Sequence, residues 1–264
     1  MMRSFASERS IMKRASDFRS LARGALTNNW GIAIAAGFIA GALGGGSSVG
    51  MPSISINFSG FTDFPDTDES IGIIGGADMA TITAILIGVL AFVGVFSLII
   101  GAVYFFLGSV VSVGYSKFNL ELTDGETPKI KTLFAYFKNW STAVVATLLT
   151  GIFVFLWSLL FIIPGIVASY SYAMVPYILA ENPGISAKDA INESKRIMKG
   201  NRWRLFCLHF SFIGWELLCI LTCGFGFIVL APYIAAADAA FYRDLVHREV
   251  EYTEIPNAEP TLEP

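Results

Sequence analysis

The sequence predicts an all-α, polytopic membrane protein: six transmembrane helices as three helical hairpins, each preceded by a basic cytoplasmic or interfacial segment. Three observations carry this fold class. Of 264 residues, 54% are hydrophobic and only 15% are charged, with mean hydropathy +0.61; soluble domains carry roughly 25% charged residues. The apolar residues are gathered into long runs with almost no charge. The basic residues are gathered between those runs, in segments that a six-span count places on one side of the membrane.

Residues 1–27 hold Arg3, Arg9, Lys13, Arg14, Arg19 and Arg23. That segment is too long for the positive region of a signal peptide, and no A-x-A-like site follows the next apolar stretch. It reads as a cytoplasmic amphipathic helix, with Ile11, Ala15, Phe18, Ala22 and Ala25 on one face. Residues 28–245 form a single membrane domain. A crossing needs about 20 mostly apolar residues. Trp30 to Val49 contains no charge, and neither does Met79 to Gly114. Ser141 to Leu179 is also free of charge and is broken by Pro164-Gly165, which reads as a tight turn between two short helices. Leu205 to Tyr242 carries only Glu216, Asp238 and His209, with Cys223-Gly224-Phe225-Gly226 in its middle. Single bent helices in these last two runs would instead give four spans.

Charge separates the two counts. Both ends and the segments 115–140 (Lys117, Lys129, Lys131, Lys138) and 181–204 (Lys188, Lys195, Arg196, Lys199, Arg202, Arg204) fall in the cytoplasm when there are six spans. With Arg243 and Arg248 in the tail, that accounts for all 18 Lys and Arg. The four-span reading places residues 181–204 outside. The outside loop 51–78 then carries Asp63, Asp66, Asp68, Glu69 and Asp78. Asp66-x-Asp68-x-Ser70 is similar to the start of a calcium loop, but its glycine falls one place late and its twelfth position is Ala77, so a solvated acidic loop is the plainer reading. The tail, 246–264, is acidic and proline-containing and reads as disordered.

A threefold pattern runs through the chain. Each hairpin follows a basic segment and begins with Asn and Trp: Asn29-Trp30, Asn139-Trp140 and Asn201-Arg202-Trp203. Trp30, Trp140 and Trp203 fit interfacial anchors at the headgroup level. The third basic segment places Ala187, Ala190, Ile191, Ser194, Ile197 and Met198 on one face, with Ser186 as N-cap and Asp189 three residues on. Such helices fit the plane of the membrane surface, where Lys and Arg attract anionic headgroups.

Small residues mark packing faces. Gly37, Gly41 and Gly45 recur at steps of four, and Gly94, Gly101 and Gly108 at steps of seven, as in helices that approach closely. Either neighbouring helices of the same chain or a second copy in a homo-oligomer fits such stripes. Pro176-Tyr177-Ile178 and Pro232-Tyr233-Ile234 recur in the returning helices, where Pro176 and Pro232 are expected to kink the backbone.

Glu216 stands out among the intramembrane polar residues, since a carboxylate at mid-depth costs about 2.5–3.5 kcal/mol. Folding the third hairpin about residues 224–225 predicts two polar rungs, Glu216 with Tyr233 and His209 with Asp238. Glu216, Asp238 and His209 read as a proton or cation path, and the rungs otherwise as a polar lock on helix pairing or as lipid-facing or snorkelling positions. No metal-ligand spacing, nucleotide loop or nucleophile motif is present, and Cys207, Cys219 and Cys223 lie in apolar sequence. The expectation is no enzyme, no cofactor and no metal. The mildly acidic total argues against nucleic acid.

Leu21-Ala22-Arg23, Asn28-Asn29-Trp30-Gly31, Ile163-Pro164-Gly165-Ile166, Ser171-Tyr172, Pro176-Tyr177-Ile178, Asn182-Pro183, Ser186-Ala187, Ala190-Ile191, Met198-Lys199-Gly200 and Ser211-Phe212-Ile213-Gly214-Trp215 together resemble the bacterial integral membrane family catalogued as domain of unknown function 975. The resemblance covers nearly the whole chain except the 51–78 loop and the tail. It implies a multi-pass plasma-membrane protein, typically of Gram-positive bacteria, without an assigned activity. Glu216 and Asp238 depart from the apolar or neutral residues expected there. A more distant similarity, to the membrane domain of some glycerophosphodiester phosphodiesterases, hints at a lipid-adjacent scaffold. The function expected is a non-enzymatic membrane scaffold or accessory protein in envelope or lipid homeostasis. The alternative is a small-solute or lipid transporter using Glu216.

Overall fold

The computed structural model describes residues 13–27, 29–45, 79–222 and 224–254, and the described residues contain helices and turns but no strand. The loop with the calcium-like spacing, Arg3, Arg9, Ile11, Cys223 and the end of the tail lie outside them. The elements are α1 (Ala15–Leu26), α2 (Trp30–Ala42), α3 (Met79–Thr123), a 3-10 helix (Ile130–Asn139), α4 (Trp140–Leu160), α5 (Ile162–Tyr172), α6 (Val175–Glu181), α7 (Ala187–Ile197), α8 (Arg202–Phe210), α9 (Ile213–Leu221) and α10 (Phe227–Glu254).

The chain divides into two compact units, residues 52–105 and the remainder. The described part of the first is the leading stretch of α3, where side chains from Thr83 to Phe105 are exposed and Phe92 stacks on Phe96 at 6.3 Å. The rest of this section concerns the second unit.

Four helical stretches among the described residues are long and apolar enough to cross a membrane: Thr83–Thr123, Ile130–Leu160, Ile162–Glu181 and Arg202–Leu221. Large apolar side chains point outward, with Ile162 77% exposed and Leu221 81%. An outward surface so rich in hydrocarbon suits lipid as its solvent, and the chain reads as membrane-embedded. By length and composition alone the described residues give four candidate crossings. The first predicted span, 30–49, is helical for only 13 residues and stops at Ala42. Gly44 follows with φ +78, a left-handed conformation that glycine adopts without strain and that ends a helix. The second runs nine residues past its expected end at Gly114, through Thr123. The tail, expected to be disordered from 246, continues α10 to Glu254.

The Pro164-Gly165 turn is also displaced. The chain reverses at Phe161, whose backbone is extended, so Pro164 sits in the first turn of α5, where its missing N–H breaks no helical hydrogen bond. Gly165 lets α5 lie against α4: a Cβ there would come 2.2 Å from Ser158 Oγ. Five residues back along α4 and seven on along α5, Phe153 stacks on Tyr172 at 6.1 Å. Pro176 kinks nothing; it lies at the start of α6 after a turn at Ala173 and Met174. Pro232 does lie inside α10.

Helix α10 is the centre of the unit. Ala235, Ala236, Ala237, Ala239 and Ala240 are at most 2% exposed, so small side chains let neighbours approach from several sides. The amphipathic helices use their apolar faces on this core. Phe18, Ala22 and Leu26 of α1 are buried, with Phe18 meeting Phe241 edge-on at 5.2 Å. In α7 the buried residues are Ala187, Ala190, Ile191, Ser194 and Ile197. Ser186 caps α7 by accepting from the Asp189 amide, and Ser194 Oγ donates to the Ser171 carbonyl at 2.9 Å. Among the described residues both apolar faces turn toward this core.

Candidate functional site

Asn29, Asn139 and Asn201 each occupy the N-cap of a helix, and Trp30, Trp140 and Trp203 follow in its first turn. Trp140 and Trp203 are 48% and 71% exposed. Close approaches occur at three positions of the predicted glycine stripes. A Cβ at Gly45 would meet Val111 and the Ser112 nitrogen, one at Gly108 the Gly44 carbonyl, and one at Gly37 the Tyr115 hydroxyl. Gly94 and Gly101 have nothing within 4 Å among the described residues.

The predicted polar rungs separate into one contact and one miss. His209 Nε2 lies 2.8 Å from Asp238 Oδ1, with both side chains nearly buried. A carboxylate only accepts, so imidazole carrying its proton on Nε2 satisfies the pair. Tyr170 packs on the His209 ring at 5.7 Å. Glu216 and Tyr233 do not meet. Tyr233 donates to the Arg19 carbonyl and accepts from Arg23 Nε, both at 3.2 Å, because α1 lies across α10 and claims the hydroxyl that the hairpin arithmetic assigned to Glu216. The half-buried Glu216 carboxylate has no hydrogen bond or ion pair among the described residues.

Around the His209–Asp238 pair lies a cavity of about 20 Å³, lined also by Ser112, Tyr115, Ser116 and Tyr177. That is the scale of a single water. The Tyr115 hydroxyl, His209 Nδ1 and the nearby Asn119 Oδ1 are buried without a hydrogen-bond partner. Glu216 is not among the residues lining it. Such a centre is polar and small.

Two charged knots, which sequence reading missed, tie the ends of the helices. Asp244, 6% exposed, accepts from Arg204 at 2.9 Å and also faces Lys13 at 3.6 Å and Arg248 at 3.4 Å. The Arg204 guanidinium lies over the Phe18 and Phe241 rings at 5.8 and 5.4 Å, joining α1, α8 and α10. In the second knot Arg243 Nε and Nη2 grip both oxygens of Asp124 while Nη1 reaches Glu181, which also accepts from Tyr242 at 2.6 Å. Burial works against the Arg243 charge, but the hydrogen bonds to Asp124 and Glu181 outweigh it and hold its pKa above the ordinary arginine value. Asp124 and Glu181 stand at helix ends while Asp244 lies inside α10, and nothing in spacing says which cation each meets.

Among the described residues, no group of three or more His, Cys, Asp or Glu side chains could hold a metal ion. Residues 159–249, from the end of α4 into α10, match the family model described as Protein of unknown function (DUF975), the family that the residue motifs resemble. The matched stretch contains His209, Asp238, Arg243 and Asp244, and leaves α1 to α3 outside. Neither the curated proteins nor the solved structures provide a match.

Proposed function

We propose that this chain is a non-enzymatic scaffold or accessory protein of the bacterial plasma membrane, serving envelope or lipid homeostasis. It crosses six times as three hairpins with both termini in the cytoplasm. The charge distribution supports the topology, with α2 and α10 supplying the crossings beyond the four long apolar stretches. The observation that carries the scaffold reading is the small size of the polar centre: the cavity beside the His209–Asp238 pair is about 20 Å³. A transporter using Glu216 needs a conduit at that residue.

The cytoplasmic surface is the working face in this reading. Lys188, Lys195, Arg196 and Lys199 are exposed on or beside α7, and each such cation near anionic lipid is worth about 1 kcal/mol. Lipids with anionic headgroups are therefore the proposed partners, without nucleic acid; the small-residue stripe leaves room for a homo-oligomer.

Single cysteines placed at Ile162, Phe225 and Lys199 of a cysteine-free variant in intact cells test the topology. All three positions are exposed on the protein. Labelling of Ile162 and Phe225 from outside, with Lys199 protected, is the expected result; outside labelling of Lys199 sinks the six-span reading. Anionic-lipid retention by purified protein should then fall with added salt and in the Lys188→Gln, Lys195→Gln, Lys199→Gln triple variant. Indifference to both removes the scaffold argument.

A further inference from the structure

We propose that a chamber between α1, α9 and α10 binds one anionic phospholipid, with its phosphate on Arg19 and Arg23 and an acyl chain along Leu218, Val229 and Leu230. The proposal rests on the membrane reading above, because the occupant comes from the surrounding leaflet, and it adds a defined site to the diffuse attraction of the α7 cations.

The chamber has a volume of about 390 Å³, within the range of sites that take small ligands. Its lining is graded. Arg19, Arg23 and Tyr233 stand at one end, while Leu218, Val229 and Leu230 continue it to the α9–α10 turn at Thr222 and Gly226. From Tyr233 to Gly226 is about 10 Å of helix rise. A polar head and a hydrocarbon tail fit that order of residues.

Charge selects the sign of the head. Arg19 Nε is buried without a hydrogen-bond partner, a costly state for a guanidinium. Neither Arg19 nor Arg23 has an ion pair among the described residues, unlike Arg196, Arg204, Arg243 and Arg248. Tyr233 holds both arginines to this end of the chamber: it accepts from Arg23 Nε and donates to the Arg19 carbonyl. Two uncompensated guanidiniums beside hydrocarbon match a phosphate that carries its own acyl chain. Free phosphate leaves the apolar wall unfilled, and a zwitterionic head brings an ammonium next to two cations.

Native mass spectrometry of the full chain in detergent, titrated with dioleoyl phosphatidylglycerol or dioleoyl phosphatidylcholine, tests this. The wild type is expected to retain one phosphatidylglycerol selectively. Arg19→Gln with Arg23→Gln should weaken it about thirtyfold, at about 1 kcal/mol per cation. Val229→Trp, which narrows the apolar end without touching charge, should weaken it comparably, and the triple α7 variant should leave this one tight lipid in place. Loss in the arginine variant with full retention in Val229→Trp overturns the site in favour of surface charge alone. Equal retention of phosphatidylcholine, or displacement by millimolar inorganic phosphate, overturns the lipid assignment. Loss in the α7 variant alone supports the scaffold's cationic face and overturns the chamber. Circular dichroism of each variant separates lost binding from lost fold.

Discussion

His209 and Asp238 face each other across two helices, Nε2 to Oδ1 at 2.8 Å, in the middle of otherwise apolar sequence. Each is the other's only side-chain hydrogen-bond partner among the described residues. Removing one leaves a buried polar group unsatisfied, which costs more than removing both. His209→Leu and Asp238→Leu are each expected to lower thermal stability in detergent by about 1–3 kcal/mol, and the double variant by clearly less than their sum. Additive losses in the double-mutant cycle would show that the pair is not a lock.

Gly114 touches backbone that cannot step aside. A Cβ there would sit 1.9 Å from the Leu133 carbonyl oxygen. Gly114→Ala should therefore destabilise the α3 contact with the 3-10 helix by about 1–3 kcal/mol. Gly151 lies inside α4 with nothing within 4 Å, so Gly151→Ala should stabilise by about 0.5–1 kcal/mol. Melting curves of the two variants are expected to move in opposite directions.

Arg243 binds Asp124 with two nitrogens and Glu181 with a third. Lysine keeps the charge but not the fork. Arg243→Lys should cost about 1 kcal/mol, discounted because Asp124 is 41% exposed, and should open the segment between α3 and the 3-10 helix to protease. Unchanged cleavage after Lys129 and Lys131 would remove the clasp from the argument.

Glu216 has no hydrogen bond or ion pair among the described residues. Glu216→Leu is expected to raise thermal stability, with an upper limit of about 2.5 kcal/mol from insertion costs. Glu216→Gln should leave a proteoliposome's solute permeability where it was. A flux present in the wild type and lost in Glu216→Gln would restore the transport reading.

The sequence made the helical class, the apolar surface and several contacts legible. Hydrophobic periodicity identified the buried face of α7 residue by residue and, in α1, Phe18 and Ala22 but not Leu26, because a face that repeats at helical spacing has to be covered. Folding the third hairpin by simple arithmetic brought His209 to the depth of Asp238, since both belong to that hairpin. The same arithmetic failed for Glu216 and Tyr233: α1, distant in sequence, claims the Tyr233 hydroxyl. Helix ends were misjudged wherever a turn residue was read without its partner. Pro164 looked like a break, yet in the first helical turn it costs nothing, and the reversal falls at Phe161. The ion clusters at Asp244 and Arg243 were out of reach because spacing along the chain does not reveal pairings between distant segments.

The alanines of α10 carry a genetic signature. At Ala235, Ala236, Ala237, Ala239 and Ala240, packed from several sides, tolerance should be governed by volume and hardly by polarity. A saturation library selected for folded protein would keep glycine and serine there and discard leucine and phenylalanine. The lipid-facing positions of α4 and α5 would give the inverse pattern, accepting any bulky apolar residue and rejecting the small polar ones. Two such opposed profiles in one domain would trace, from survival counts alone, which side of each helix meets protein and which meets the bilayer.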